Sequence, residues 1–396
     1  MRLSPLYEQH KKSQAVFFDF HGWTMPLHYG SQIDEHGEVR KGAGLFDVSH
    51  MLPIDIKGAD AYALLEKLLS RNIARCHLGK GLYTLLLNER AGVIDDVIVY
   101  RLAKAHFRVV VNAGNREVCI AWFKQHAEGL HDCTVEPLLD HGILAVQGPS
   151  AIKAFSQIIP EIRYVPGLPP FYCDLYDGFR EGVHEEVLVT RTGYTGESGI
   201  EVVAPAAILC GIWERLVAAG IRPIGLGARD SLRLEAGLPL YGLEMDQDTH
   251  VLNTSVRSFV DVDAGVDARH NFIGQSALLA YERLPVADKQ AGVALYTKDK
   301  GIPRTGDLLV VHRRNKSDSD KVAGEATREE ATREIVVGKV TSGCYSPVLG
   351  HSIAMGRVAL AELEALQAGE SVLFIKCHRR VLRAELTRLP FITKAK

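Results

Sequence analysis

Apolar and polar positions divide the chain into three stretches of different periodicity. Residues 52–60 read as a strand ending at Gly58, after which Asp60 stands where a helix cap belongs. Leu64, Leu65, Leu68 and Leu69 then fall on one helical face. Strand-like runs follow at 81–88, 93–100 and 107–112, then a helical segment at 116–127 and a strand within 139–149. This order predicts a small α/β sandwich over residues 52–142. From 143 the alternation resumes, with a helix from 150, strands at 186–191 and 199–204, a helix at 206–219 and a long amphipathic segment after Arg229. Residues 1–51 mix turn signals with short amphipathic pieces and read as a packed loop region. Together with 143–279 they are expected to form one discontinuous domain into which 52–142 is inserted. After about 280, short β runs at 291–296, 307–311, 335–341, 353–358 and 371–375 lie between Gly/Pro turns, which predicts an all-β barrel or sandwich over 280–396. The polar stretch 313–334, with a tandem Glu-Ala-Thr-Arg-Glu repeat, buries too little apolar area to fold by itself and reads as a solvated loop.

Composition narrows the class. A chain of 396 residues is too long for one ordinary core, and 46% hydrophobic with 24% charged residues is the balance of a soluble globular protein. A net charge of −2 argues against a nucleic-acid binder that relies on a global positive field. The seven cysteines are scattered without a CxxC, so neither a disulfide framework nor a zinc site is signalled, and a reducing, cytoplasmic setting is expected. The N-terminus lacks the apolar region of a secretory signal, and no apolar run approaches the ~20 residues of a membrane span.

Two dense motifs carry the candidate chemistry. The first is Arg191-Thr-Gly-Tyr194-Thr-Gly-Glu197-Ser-Gly-Ile-Glu201; the second is Gly225-Leu-Gly-Ala-Arg229-Asp230, followed by Leu240-Tyr241-Gly242. Three glycines let the backbone turn sharply and approach a ligand. Between them Tyr194 offers a ring, Glu197 and Glu201 offer carboxylates, and the second turn delivers Arg229 at a helix entrance. A ring, a carboxylate accepting paired N–H donors and a guanidinium suit a flat heterocycle. A Gly-rich hairpin turn braced by surface ion pairs fits the same residues.

Elsewhere, Asp95-Asp96 sits between Val93-Ile94 and Val97-Ile98. Neighbours on a strand point to opposite faces, so one carboxylate enters a cleft while the other meets water or caps the strand's start. The inward one would be partly desolvated, as acid–base or cation-stabilising groups are, although a strand-edge charge beside the Gly92 turn is equally compatible. His50 and Met51 read as core or pocket wall, since no second His stands at metal-ligand spacing.

The ordered motifs extend further: Asp19-Phe-His-Gly-Trp-Thr-Met-Pro-Leu, Phe46-Asp-Val-Ser-His-Met51, Tyr83, Gly92-Val-Ile-Asp-Asp-Val-Ile-Val-Tyr100, Val111-Asn112-Ala113, Gln147-Gly-Pro and Thr341-Ser-Gly-Cys-Tyr-Ser-Pro-Val-Leu-Gly350. Near-collinear from Pro5 to Gly242 and resuming at 271–278 and 338–360, the sequence resembles the T-protein of the glycine cleavage system. That resemblance implies an α+β multidomain fold, a three-domain cloverleaf with a C-terminal all-β barrel-like domain around a central folate site. It also implies an aminomethyltransferase that takes its one-carbon unit from the dihydrolipoyl arm of lipoylated H-protein. Tetrahydrofolate is the implied acceptor, with no metal, no nucleic acid and no membrane involved. Asp96 maps to the catalytic carboxylate and Glu201 to the pterin carboxylate. Met51, Tyr83, Asn112, Tyr194 and Arg229 map to other pocket positions, with Val111 and Ala113 as backbone contacts. Glu197, nearer the turn, is expected to be structural.

The chain departs from the family pattern at 249–263, where a usual Gly-Trp is missing, Arg257, Asp261 and Asp263 add charge, and Phe259 is the available ring. Two other readings share the fold: a folate-binding protein without transferase activity, and a folate-dependent demethylase of a small methylated substrate. The retained Asp95-Asp96 pair weighs against the first, and the altered 249–263 segment keeps the second open.

Overall fold

A computed structural model of the chain describes residues 1–163, 165–176, 185–261, 270–314, 332–378 and 380–393. It falls into two compact units, one comprising Met1–Arg233, Asp246–His250 and Ser258–Leu279, the other Leu234–Met245, Val251–Arg257 and Ala280–Lys396. The fold is mixed α/β with a closed barrel in the second unit.

Among the described residues the first unit holds three sheets. One has six strands in the order Cys173–Tyr176, Val187–Thr190, Gly199–Pro205, His141–Gln147, Gly44–Asp47 and Arg222–Pro223. Its two-residue periodicity buries both faces. Leu144, Val146, Val202 and Ala204 point towards the helices Ala151–Ile158 and Ala206–Ala218, while Phe46, Ile143, Ala145 and Val203 point the other way. Glu201, two residues before Val203, therefore stands on the second face. A second sheet runs Gly81–Leu87, Val93–Ala103, His106–Val111, Leu52–Lys57 and Thr134–Pro137, each neighbour antiparallel. Val97, Val99, Val109 and Val111 pack under the helices Ala61–Leu68 and Arg116–Ala127. Ile98, Tyr100 and Val110 join the cluster formed by the second face of the six-stranded sheet. Asp96 shares the face of Ile98 and Tyr100; Asp95 shares the face of Val97 and Val99. A three-stranded sheet of Arg2–Leu3, Trp23–His28 and Val16–Phe20 completes the unit.

In the second unit six antiparallel strands close into a barrel in the order Gln290–Thr297, His351–Ala359, Thr332–Ser346, Leu308–Arg314, Val372–Cys377 and Arg380–Thr387. Closure leaves no strand edge unpaired, and the apolar alternation fills the interior with Leu295, Leu309, Val340, Ile375 and Leu382. The last strand was not among the sequence-predicted runs, because Arg380, Arg383 and Glu385 interrupt its apolar pattern. Of the polar stretch 313–334, residues 315–331 lie outside the described residues, as does Asp263; residues 332–334 are already strand.

Two local readings are corrected. Residues 31–42 are not loop: a helix spans Gln32–Lys41, with the Ser31 hydroxyl accepting from the Asp34 N–H. Its buried positions include Glu35 and His36, which hides the apolar stripe from the sequence. Glu35 accepts from the backbone N–H of Tyr29 and of Gly225, both at 2.7 Å, and the His36 ring meets Ser231 Oγ at 2.8 Å. Asp60 does precede the helix Ala61–Leu68 but makes no side-chain cap. Its carboxylate instead accepts the N–H groups of His131 and Asp132, both at 3.0 Å, and so ties a distant turn to the helix start.

Candidate active site

The site is built where strand ends of the first unit present polar groups towards one another. The Gly-rich turn after Val187–Thr190 folds around Gln147. Gln147 Nε2 donates to the carbonyls of Thr192 (3.1 Å) and Ile200 (3.2 Å), and its Oε1 accepts from Thr195 Oγ1 at 2.9 Å. A Cβ at Gly193 or Gly199 would fall 2.0 or 2.4 Å from that amide, so these two glycines serve internal packing rather than close approach to a ligand. Gly196 alone in the turn takes a positive φ, 77°. Arg40 holds the turn from outside, donating through Nη1 to Thr195 O (2.7 Å) and Glu197 Oε1 (2.8 Å). Glu197 is thus an anchor of the turn, in keeping with its expected structural role.

The turn and the following strand place Glu201 in a hydrogen-bonded chain. Thr192 Oγ1 donates to Glu201 Oε2 at 2.6 Å, and the Tyr100 hydroxyl meets Thr192 Oγ1 at 3.0 Å. Glu201 is 9% exposed, and burial together with its charge pushes the Tyr100 phenol well above its ordinary value. Arg229 lies inside the first turn of the helix Leu226–Glu235 rather than at its entrance. Its guanidinium stands 4.6 Å from the centroid of the Tyr194 ring. Burial lowers its proton affinity and the charge of Glu201 opposes that shift. Its Nη1 is buried with no hydrogen-bond partner among the described residues. An unmatched guanidinium N–H beside a carboxylate and an aromatic face is what an acceptor-bearing ring edge would satisfy.

Asp96 stands on the five-stranded sheet, on the strand Val93–Ala103. Its Oδ2 accepts the Tyr83 hydroxyl at 2.9 Å and its Oδ1 accepts Asn112 Nδ2 at 2.8 Å. Burial first, and the neighbouring Asp95 charge second, push its carboxyl up to about 7. Tyr83, raised well above its ordinary value by burial and by Asp96, also feels Tyr194, which links the two halves of the site. The expectation that the second carboxylate meets water or caps the strand's start is corrected here: Asp95 is buried among donors under the helix Arg116–Ala127. Asn112 directly follows the adjacent strand His106–Val111 and reaches both carboxylates. Met51 packs partly buried with Phe46, Ile98, Tyr100 and Val110. The Val111 side chain turns into the core of the five-stranded sheet and Ala113 packs with Trp23, Met25 and Leu226, so only their backbones are turned to other uses. His50 is buried and its imidazole is pushed down to about 3 by burial and by Arg229, which makes it a neutral wall residue.

A cleft of about 500 Å³ is lined by Arg71, Arg75, His77, Lys80, Tyr83, Phe171 and Phe259. Phe259 meets the Tyr83 ring edge-on at 4.7 Å. Asp261 is fixed to the turn before the strand Gly81–Leu87, accepting the Asn72 N–H at 2.9 Å and pairing with Arg75 at 3.3 Å. The charge that departs from the family pattern therefore anchors its own segment.

Residues 6–264 match the GCVT N-terminal domain family, and residues 298–392 match the glycine cleavage T-protein C-terminal barrel domain family. The chain belongs to the glycine cleavage T-protein family. An aminomethyltransferase of Francisella tularensis subsp. holarctica (strain LVS) is 39% identical over 398 residues, covering 100% of this chain and 99% of that protein. Another, from Nitrosomonas eutropha, is 38% identical over 99% of this chain and 98% of its own length. The crystal structure of the glycine cleavage system aminomethyltransferase T from Bartonella henselae superposes with a TM-score of 0.79 at 31% identity, covering 99% of this chain and 98% of that one. Membership in the T-protein family makes the chain an enzyme, an aminomethyltransferase. Among the described residues no group of three or more His, Cys, Asp or Glu side chains could hold a metal ion, and no helix is long and apolar enough to cross a membrane.

Sequence reasoning did not find Arg40, Thr192 or Asn115. Arg40 and Asn115 lie outside the T-protein motifs, as polar residues of a helix and of a turn. Thr192 lies within the Gly-rich motif, but only its hydrogen bond to Glu201 distinguishes it from the other turn residues.

Proposed function

We propose that the enzyme moves the one-carbon unit of an aminomethyl group, held as a thioaminal on the dihydrolipoyl arm of H-protein, to tetrahydrofolate. The products are 5,10-methylenetetrahydrofolate, ammonia and dihydrolipoyl H-protein. The C–S bond breaks with its electron pair left on sulfur, two C–N bonds form to the folate amines, and the original nitrogen leaves as ammonia. The two protons released by those amines balance the thiol and the ammonia.

The observation that carries this reading is the buried, unmatched Arg229 Nη1 beside the Tyr194 ring and within the field of Glu201, with Tyr83 feeling both Tyr194 and Asp96. The 2-amino-pyrimidinone edge of a pterin offers two parallel N–H donors for Glu201, and its ring acceptors suit Arg229. Met51, Tyr83, Asn112 and Tyr194 complete the walls, with the backbones of Val111 and Ala113. Asp96 supplies a carboxylate that positions the folate amines and stabilises the cation developing as sulfur leaves. The basic lining of the cleft that includes Tyr83 suits the carboxylates at the other end of the folate. Separate sheets within the first unit support the division into a folate-binding domain of 1–51 plus 143–279 and an inserted domain of 52–142, with 280–396 as the C-terminal domain.

Calorimetric titration with tetrahydrofolate tests the site. The wild type is expected to bind one equivalent, and Glu201→Ala to lose about 1.5–3 kcal/mol of affinity while remaining folded. Unchanged affinity would remove Glu201 from the pterin site.

A further inference from the structure

The mechanism above uses one carboxylate of an adjacent pair and leaves the other, fully buried Asp95, without a task. Its surroundings are specific. Asp95 Oδ1 accepts Asn112 Nδ2 at 2.8 Å and Asn115 Nδ2 at 2.7 Å. Asp95 Oδ2 accepts the Asn112 backbone N–H at 2.9 Å and the Cys119 thiol at 3.5 Å. Burial pushes the Asp95 carboxyl up, but every hydrogen-bonding neighbour is a donor that opposes this, and a carboxylic acid proton here would find no good acceptor, so the anion is the form these contacts fit. A buried anion with this many donors persists where an uncompensated one would not.

Asn112 transmits that charge to the site. Its single Nδ2 group lies 2.8 Å from Asp95 Oδ1, 3.0 Å from the Asp96 carbonyl oxygen and 2.8 Å from Asp96 Oδ1. An amide can present either its NH2 or its oxygen, and the acceptors around it decide which. With Asp95 ionised, the NH2 must face it, and the same NH2 then faces Asp96. Without the Asp95 charge the NH2 keeps only its two acceptors on Asp96, the carbonyl oxygen and Oδ1, and is held in one direction less firmly.

We infer that Asp95 is a positioning residue for the transfer: caged by Asn112, Asn115 and Cys119, it holds the NH2 of the Asn112 amide against Asp96. The inference rests on the proposed role of Asp96. Among the described residues the titratable groups facing the pair are Tyr83 from the strand Gly81–Leu87 and Cys119 from the helix Arg116–Ala127, and Tyr83 in turn feels Tyr194. Arg116 is turned away, over the Trp23 ring at 4.8 Å. The burial that raises Cys119 and Tyr83 keeps both protonated, so neither competes for the proton of the pair.

The test is the pH profile of kcat/KM for two variants that disturb the cage in opposite senses. Asp95→Asn removes the neighbouring charge, so the acidic limb is expected to move down by about one pH unit or more, with kcat lowered as Asn112 loses its lock. Asn115→Ala leaves Asp95 in place but weakens its anion, so full ionisation of the pair becomes harder and the limb is expected to move up. Loss of packing alone would lower activity or melting temperature without shifting the limb in opposite directions. If Asp95→Asn fails to fold, as judged by circular dichroism, the upward shift in Asn115→Ala decides. Limbs that stay at the wild-type pH in the folded variants overturn the inference. Full activity in Asp96→Asn would instead overturn the underlying assignment of Asp96, so the two failures are distinguishable.

Discussion

The guanidinium of Arg229 lies over the ring of Tyr194, 4.6 Å from its centroid, with one nitrogen buried and unmatched. A planar cation stacked on a ring keeps its donors in one plane and pointed in a fixed direction, which a lysine ammonium cannot do. Arg229→Lys retains the charge but loses the fork. It is expected to weaken tetrahydrofolate binding by about tenfold or more, read by calorimetry, with the fold intact by circular dichroism. Wild-type affinity in this variant would show that the unmatched donor has no ligand to meet.

The Tyr83 hydroxyl donates to Asp96 and so favours its ionised form, against burial and Asp95. Tyr83→Phe removes that donor while keeping the ring against Phe259. The acidic limb of kcat/KM, expected near pH 7 in the wild type from the raised Asp96 carboxyl, should move to higher pH in this variant. A limb that moves to lower pH would contradict the hydrogen bond's role.

How far the sequence revealed this arrangement depends on the kind of residue. The helix Arg116–Ala127 and the strand Gly199–Pro205 follow their apolar periods and were legible within a residue or so. The helix Gln32–Lys41 was not, because what it buries is Glu35 and His36, and their hydrogen bonds to Gly225 and Ser231 join segments almost two hundred residues apart. The opposite orientation of Asp95 and Asp96 follows from strand geometry. The donor cage around Asp95 does not, since Asn115 and Cys119 acquire that role only when a helix packs under the strand. Likewise, the glycines of the Gly-rich motif were visible, but their contact with Gln147 was not.

Arg40 and Glu197 meet at 2.8 Å with side chains only 12% and 16% exposed. Arg40→Ala leaves Glu197 and the Thr195 carbonyl short of a donor at the turn that carries Tyr194 and Glu201. A loss of about 2–4 kcal/mol in unfolding free energy is expected, below the ceiling for fully buried pairs, together with weaker folate binding. Denaturant titration and calorimetry check the two arms. A stability within 0.5 kcal/mol of wild type, the usual range for surface changes, would show that the turn holds without its clamp.

Stability against pH carries two opposed contributions. His50 is depressed from 6.5 to about 3, so between those values the unfolded chain takes up a proton that the folded one refuses, and stability falls on acidification. Asp96 is raised from 3.8 to about 7, so its contribution is fully present below 3.8 and lost as pH rises through 7. Between pH 7 and 5 the two oppose each other and flatten the wild-type curve. Asp96→Asn is therefore expected to be less stable at pH 5 than at pH 7, and His50→Gln to be more stable at pH 5. Urea midpoints at the two pH values provide the check, and the same slope in both variants would contradict these assignments.

The measurement that bears most directly on the whole account is ammonia release from aminomethylated H-protein by wild type and Asp96→Asn, with and without tetrahydrofolate. The account requires rapid release by the wild type that depends on folate. It also requires a loss of at least tenfold in Asp96→Asn, with folate affinity largely retained. Release that ignores folate, or that proceeds at the wild-type rate without the Asp96 carboxylate, would contradict it.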